Sequence, residues 1–385
     1  MQILVVDDDG ATLIYLSSVL RKLGHTVVTT SNGESAYQMI TEGKIQIVIS
    51  DWSMPELSGI ELCKRLRASD LSRYVYFILL TARDDKDSLL EGMESGADDY
   101  LVKPVDPREL HVRLHAGNRI LKLEHDLKER NADLIRDVRM AAAMQRALLP
   151  KAYQSPQVNL DWVFMPSHFV AGDMLGYYPL DDVRWVFFML DVSGHGVASA
   201  LISFSVSKLL WQNQQGDQAQ PNPDKLMPVH QSVMMDALNY RFCTEPESAN
   251  YFITMIYGTF YADTGKVILS SAGHPAPLHW HKREKTLTEV NARGLPIGVM
   301  DDYHYEAETL SLETGDRLFI YSDGIVECPS AGGEQFGEAR FKAFLRGMGD
   351  VPIGEIRAEI ENRLHEWRGQ KEMPDDVSLL ILEKP

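Results

Sequence analysis

Short β-branched runs alternate with amphipathic stretches through the first third of the chain, and no other feature constrains its fold as tightly. Residues 3–6, 26–30, 45–50, 75–80 and 100–102 read as buried strands. Between the first two, Leu13, Leu16, Leu20 and Leu23 recur at helical spacing, and Gly24 follows as a stop. Parallel strands need crossovers of a dozen or more residues, usually helices. The alternation therefore predicts an α/β unit with a doubly wound parallel sheet over residues 1–117.

From 118 to 149 the chain carries no Gly or Pro and turns strongly charged. Ile120, Leu127, Leu134, Ala141 and Leu148 stand seven apart, which sets one apolar seam on a long helix. Either this is a solvated linker helix, or its seam pairs two copies of the chain in a parallel coiled coil; Pro150 ends it. Beyond it, runs at 185–190, 251–262, 266–270, 317–321 and 377–382 read as strands. A helix after Gly196 and another carrying Ile353, Ile356, Ile360, Leu364 and Trp367 can cover sheet faces, and the polar stretch 212–223 reads as a mobile loop. Strand runs mixed with a few long helices suggest a layered α+β domain over 151–385.

The 385 residues carry a formal net charge of −17. So acidic a surface repels nucleic-acid phosphates and anionic lipid, so neither nucleic acid nor membrane is expected as a partner. Cys63, Cys243 and Cys328 form no CxxC pair and suit a reducing compartment. With no basic n-region and no apolar run near the ~20 residues of a spanning helix, a cytoplasmic location is expected.

Acceptor and charged residues gather at the ends of the first five strands: Asp7 and Asp8 after the first, Asp51 after the third, Thr81 after the fourth, Lys103 after the fifth. In an open parallel sheet those ends share one crevice. Three carboxylates there require a divalent cation, which points to Mg2+, and a carboxylate beside Mg2+ and an ammonium can attack a phosphoryl group. Taken singly, Asp8 could be a helix N-cap and Tyr100 a core residue. Together, VVDDD, DWSMPELSG, LLTARD and DDYLVKP resemble the CheY-like receiver family in order and spacing. The resemblance implies that Asp51 is phosphorylated by a histidine kinase or phosphotransfer protein. It also implies that Asp7, Asp8 and a carbonyl near Ser53 hold Mg2+, and that Thr81 and Lys103 engage the phosphate. Tyr100 would be a rotating aromatic, and Lys103-Pro104 a cis peptide.

Acids return at strand ends in the last part: Asp173 in AGDM, Asp191 in LDVSGHG, Asp323 in YSDGIVE, and Asp375 and Asp376 in PDDVSLL. Hard oxygen donors with little His or Cys select Mg2+ or Mn2+ over zinc. His195 reads as a loop residue. Two such ions would share a bridging carboxylate and a water of lowered pKa. These motifs, with QRALLP, AGHPAPL and GLPIG, resemble the metal-dependent PPM-type serine/threonine phosphatases of the SpoIIE and RsbU-type branch over about 145–385. The resemblance implies an α/β/β/α sandwich. In it Asp191 and the Val192 carbonyl bridge two Mn2+ or Mg2+, and Asp173, Asp323 and Asp375 complete the ligands. His274 would be structural. The branch commonly has a second acid three residues after the AGD aspartate; here Gly176 stands there, and its absence is expected to weaken one metal site.

The reading is therefore a two-component response regulator whose Asp51 controls a phosphoprotein phosphatase. By resemblance its substrate is a phosphorylated STAS-type anti-sigma-factor antagonist. The alternative is a non-catalytic adaptor that binds a sigma factor and delivers it for proteolysis. A DNA-binding regulator finds no basic recognition helix, and no kinase ATP site follows the last motif.

Overall fold

The computed structural model describes residues 1–71, 73–82, 94–194, 196–212, 231–245, 250–369 and 371–385. Two compact units divide the chain, Met1–Leu134 and Ile135–Pro385.

In the first unit the elements follow in the order β1 (Gln2–Val6), α1 (Gly10–Lys22), β2 (Thr26–Thr30), α2 (Gly33–Glu42), β3 (Ile47–Asp51), α3 (Gly59–Arg67), β4 (Tyr76–Thr81), β5 (Asp99–Val102) and α4 (Pro107–Leu148). All strand pairs are parallel, in the order β2-β1-β3-β4-β5, the doubly wound arrangement expected. One apolar cluster, including Val48, Phe77 and Leu79, covers one sheet face; another, including Ile49, Ile78 and Leu110, covers the other. That two-sided burial is why the strands read as unbroken apolar runs. Helix α1 is capped by Asp9, whose carboxylate accepts from the Ala11 and Thr12 amides. The cap is thus Asp9 rather than Asp8, which leaves Asp8 for the crevice.

The helix expected from 118 begins earlier. It runs unbroken from Pro107, the pre-organised first helical position, to Leu148, and Gly117 does not interrupt it. Ile120, Leu127 and Leu134 of the seam are exposed.

The second unit comprises β6 (Tyr153–Gln154), β7 (Asn159–Met165), β8 (Met174–Pro179), β9 (Arg184–Val192), α5 (Val197–Gln212), α6 (Gln231–Thr244), β10 (Ile253–Tyr261) and β11 (Lys266–Ala272). There follow β12 (Leu278–His281), β13 (Thr286–Glu289), β14 (Glu308–Ser311), β15 (Arg317–Tyr321), α7 (Gly324–Glu327), α8 (Gly337–Gly347), α9 (Ile353–Arg368) and β16 (Val377–Glu383). Two antiparallel sheets form, β14-β11-β10-β9-β8 and β13-β12-β15-β16-β7-β6. The larger apolar cluster joins the inner faces of both sheets with α5 and α6, and the second packs α8 and α9 on the six-stranded sheet. This is the four-layer sandwich expected. The polar stretch 212–223 and His195 fall at or within segments outside the described residues.

Strand faces are fixed by register. Tyr178 Oη donates to the Leu210 carbonyl of α5, and Phe188 stacks edge-on against Trp211, with centroids 6.1 Å apart. Even-numbered positions of β8 and β9 therefore face the helices. Tyr177 Oη reaches the carbonyls of Lys151 and of Leu160 in β7, so odd-numbered positions face the other sheet.

Candidate functional site

In the first unit, carboxylate oxygens of Asp7, Asp8 and Asp51 lie within 4.8 Å of one another at the C-terminal ends of β1 and β3. Asp7 is fully buried, and burial pushes its carboxyl above the usual range. The Lys103 ammonium opposes that shift, 2.8 Å from Asp7 Oδ2 and in contact with Asp51 Oδ1. Lys103 is held at the end of β5 by its amide, which donates to the Thr81 carbonyl at 2.8 Å, and the Lys103-Pro104 peptide is cis. Thr81 is buried at the end of β4, Ser53 is exposed in the turn after Asp51, and the Arg113 guanidinium lies 5.9 Å from the Tyr100 ring centre. One crevice thus collects three acids, a hydroxyl and an ammonium from four strand ends. Three carboxylates with one ammonium suit a hard divalent ion.

In the second unit the acids come from both sheets. Asp173 precedes β8 and Asp191 lies near the end of β9. Asp323 follows β15 and Asp375 precedes β16. Asp173 is fully buried; burial and the Asp191 and Asp376 charges push its carboxyl well up, with the Ser378 and Ser322 hydroxyls acting against the shift. Burial, then the charges of Asp323, Asp375 and Asp376, raise Asp191 to about 7. Asp323 is raised by burial and by Glu327. Mutual charge effects of this size require proximity. Among the described residues, however, these four do not offer three ligand oxygens within 4.8 Å of one another, so the ring is wider than that of the first unit.

Close backbone approaches build this ring. A Cβ on Gly172 would meet the Val192 carbonyl at 2.9 Å, and one on Gly324 would meet the Asp376 carbonyl at 2.0 Å. Only glycine lets the loop of Asp173 lie on the Val192 turn and the turn of Asp323 lie on that of Asp375. Asp376 is occupied elsewhere: Oδ2 accepts from the Gly172 amide at 2.7 Å, and Oδ1 accepts from the Ser167 amide and hydroxyl at 2.7 and 2.9 Å. It anchors the loop that carries Asp173. By contrast Oδ2 of Asp173 is buried with no hydrogen-bond partner. A buried, unpaired carboxylate oxygen among raised acids is costly unless a cation meets it, and this donor set fits Mg2+ or Mn2+.

Position 176 pairs with Phe188 on the face of β8 turned to α5, whereas Asp173 and Asp191 turn to the other sheet. A Cβ there would lie 2.5 Å from Phe188 Cζ. Gly176 is a packing position on the face turned away from Asp173 and Asp191.

Two residues support the ring, Gln145, whose role was not legible in the sequence, and His274, expected to be structural. Gln145 of α4, in QRALLP, donates from Nε2 to the Ala171 carbonyl at 2.8 Å and accepts the Ala171 amide on Oε1 at 3.0 Å, both ends buried. His274, wholly buried and held near a pKa of 3 by desolvation, bonds through Nδ1 to the Thr254 hydroxyl at 2.9 Å. Thr254 lies opposite Asp191 in the β9–β10 register. His274 is thus a neutral prop behind Asp191.

The family model of Stage II sporulation protein E (SpoIIE) matches residues 181–385, more than half of the chain. The chain belongs to the SpoIIE family. The response regulator receiver domain model matches residues 3–115. This SpoIIE-family chain therefore carries a receiver domain ahead of its SpoIIE domain. It is 28% identical over 249 residues to phosphoserine phosphatase RsbP of Bacillus subtilis, which spans 64% of this chain and 58% of RsbP. It is 38% identical over 114 residues to the phosphate regulon transcriptional regulatory protein PhoB of Pseudomonas aeruginosa, 30% of this chain and 50% of PhoB. The chain thus spans about half the length of the curated relatives it matches. The SiaA-PP2C domain of Pseudomonas aeruginosa superposes with a TM-score of 0.55 at 17% identity, covering 66% of this chain and 98% of that domain, a likeness of fold. Among the described residues no helix is long and apolar enough to cross a membrane.

Proposed function

We propose that the chain is a response regulator in which phosphorylation of Asp51 controls a metal-dependent phosphoserine/phosphothreonine protein phosphatase. The division proposed is a receiver at 1–117, a helical linker at 118–150 and the phosphatase at 151–385. The single observation that carries the reading is the buried, unpaired Asp173 oxygen facing acids that raise one another's pKa, on a fold shared with phosphatases. Asp173, Asp191, Asp323, Asp375 and the Val192 carbonyl would hold two Mn2+ or Mg2+ ions, which supply phosphate charge neutralisation and a water of lowered pKa. Asp191, last but one in β9, would be the ligand shared by the two. In the receiver, Asp7, Asp8, Asp51 and the Ser53 carbonyl would hold Mg2+, Asp51 would take the phosphoryl group from a kinase or phosphotransfer protein, and Thr81 and Lys103 would engage it.

The route from receiver to phosphatase is α4. Its start belongs to the receiver sequence, and its end, at Gln145, grips Ala171 two residues before Asp173. A shift of the end of this helix would move the Asp173 loop, so phosphorylation would bias the acid ring through the Gln145–Ala171 contact. The exposed Ile120, Leu127 and Leu134 seam would pair two copies of the chain. RsbP's name points to a phosphoserine substrate, and the family resemblance to a phosphorylated STAS-type anti-sigma-factor antagonist.

The test is hydrolysis of p-nitrophenyl phosphate and of a phosphoserine peptide by the full chain with Mn2+. Activity abolished by Asp191→Ala supports the reading. No turnover and no Mn2+ binding at millimolar metal would replace it with the sigma-factor adaptor.

A further inference from the structure

A second donor cluster lies in the phosphatase domain, apart from its acid ring. Ligand atoms of His279, His281 and Asp316 lie within 4.8 Å of one another. His279 and His281 are two apart on β12, so both project from one face. Their ring centres are 3.7 Å apart. Asp316 enters β15 from the turn, its Oδ2 3.0 Å from His279 Nε2. Asp316 and Asp323 stand at opposite ends of β15, about 23 Å apart at strand rise. The cluster is therefore not part of the acid ring.

We propose that His279, His281 and Asp316 form a binding site for a borderline transition-metal ion, of the Zn2+ class, that staples the β12–β13 hairpin to the start of β15. Two imidazoles and one carboxylate prefer such an ion to the hard cations suited to the all-oxygen ring. The carboxylate is already oriented as a ligand: Oδ1 accepts from the Lys282 amide at 2.9 Å and Oδ2 from the Glu313 amide at 2.9 Å. Outer-shell bonds of this kind are what fix ligating carboxylates. His281 is anchored to the Thr288 hydroxyl at 2.9 Å and is partly exposed, which leaves an entry path. Glu284, on the hairpin turn, has Oε2 3.9 Å from His281 Nδ1 and is mostly exposed; it can close the fourth position, or water can. A structural Asp316–His279 pair accounts for those two residues alone. It gives no reason for a second imidazole and a second carboxylate to converge on it.

The probe is Co2+, titrated into chelator-stripped full-length protein under saturating Mg2+, which occupies the oxygen sites. The expected result is one equivalent of a four-coordinate visible band, displaced by Zn2+ and accompanied by a rise in Tm. The band disappears in His281→Ala, whose partly exposed side chain can be removed without a core cavity, and in Asp316→Asn. It persists when the exposed, ring-stacked His111 and His115 of α4 are both changed to Ala. Absence of a band in wild type, a band unaffected by His281→Ala, or one lost with His111 and His115 would each overturn the proposal. None of these outcomes depends on whether the domain hydrolyses phosphate.

Discussion

Gln145 joins the linker helix to the loop of Asp173, and its replacement probes that joint. Its side chain is 7% exposed and makes two hydrogen bonds, 2.8 and 3.0 Å, to the two backbone groups of Ala171, which is itself fully buried. Gln145→Met keeps roughly the same volume and removes both bonds. Each stranded backbone group costs about 1–3 kcal/mol, so the pair costs about 2–6 kcal/mol before any recovery by water. Part of this loosens the loop, and an ion must then restore it on binding. If about half is recovered as local opening, the half-saturating Mn2+ concentration rises roughly 5- to 140-fold, at about 1.4 kcal/mol per tenfold. The assay is Mn2+-dependent phosphoester hydrolysis beside denaturant unfolding. Expected are a weaker Mn2+ affinity, with kcat at saturating Mn2+ falling less than the affinity, and lower stability without metal. A Gln145→Met protein with wild-type Mn2+ dependence and stability would refute the idea that α4 holds the Asp173 loop.

Gly176→Asp drives a Cβ into the Phe188 ring and buries a charge; overpacking alone should cost about 1–3 kcal/mol in denaturant unfolding, with no gain in metal affinity. Metal-free protein carries Asp191 with a folded pKa of about 7 against an ordinary 3.8. The native state therefore binds the extra proton, and stability falls as pH rises between those values, by at most about 4 kcal/mol. Comparing pH-dependent unfolding of wild type and Asp191→Asn in chelator isolates this slope, which should be shallower in the variant; equal slopes would contradict it. Lys103→Ala leaves fully buried Asp7 and half-buried Asp51 without their ammonium. It should destabilise the receiver by about 2–4 kcal/mol, partly restored by Mg2+, as read by thermal unfolding. Leu127→Glu with Leu134→Glu places charge on the exposed α4 seam; sedimentation should then find monomers where the wild type is dimeric.

The parallel sheet and its crevice acids were legible because each rests on a local signal, whereas the four-layer sandwich followed only from the family resemblance. Strands buried on both faces are continuous apolar runs, and ligand acids sit where strands end, next to glycine. The strand at 159–165 and helix α6 were not read from the sequence. The first mixes Asp161 and Trp162 into its apolar run, and the second buries polar Gln231 and Asn239 beside Met234 and Leu238. Neither has a clean period, so packing decided them.

What the sequence determined alone is which acids lie at strand ends, since residue order and the period of the apolar runs decide that before any tertiary contact forms. Tertiary structure decided which of them share a pocket and which are spoken for. Asp375 and Asp376 are chemically identical neighbours, and the Ser167 and Gly172 donors folded against Asp376 engage both of its carboxylate oxygens. Position 176 likewise has no meaning until strand register turns it toward Phe188 and away from Asp191. Face and partner are long-range properties: they depend on groups more than 200 residues away for Asp376, and local spacing carries no record of them.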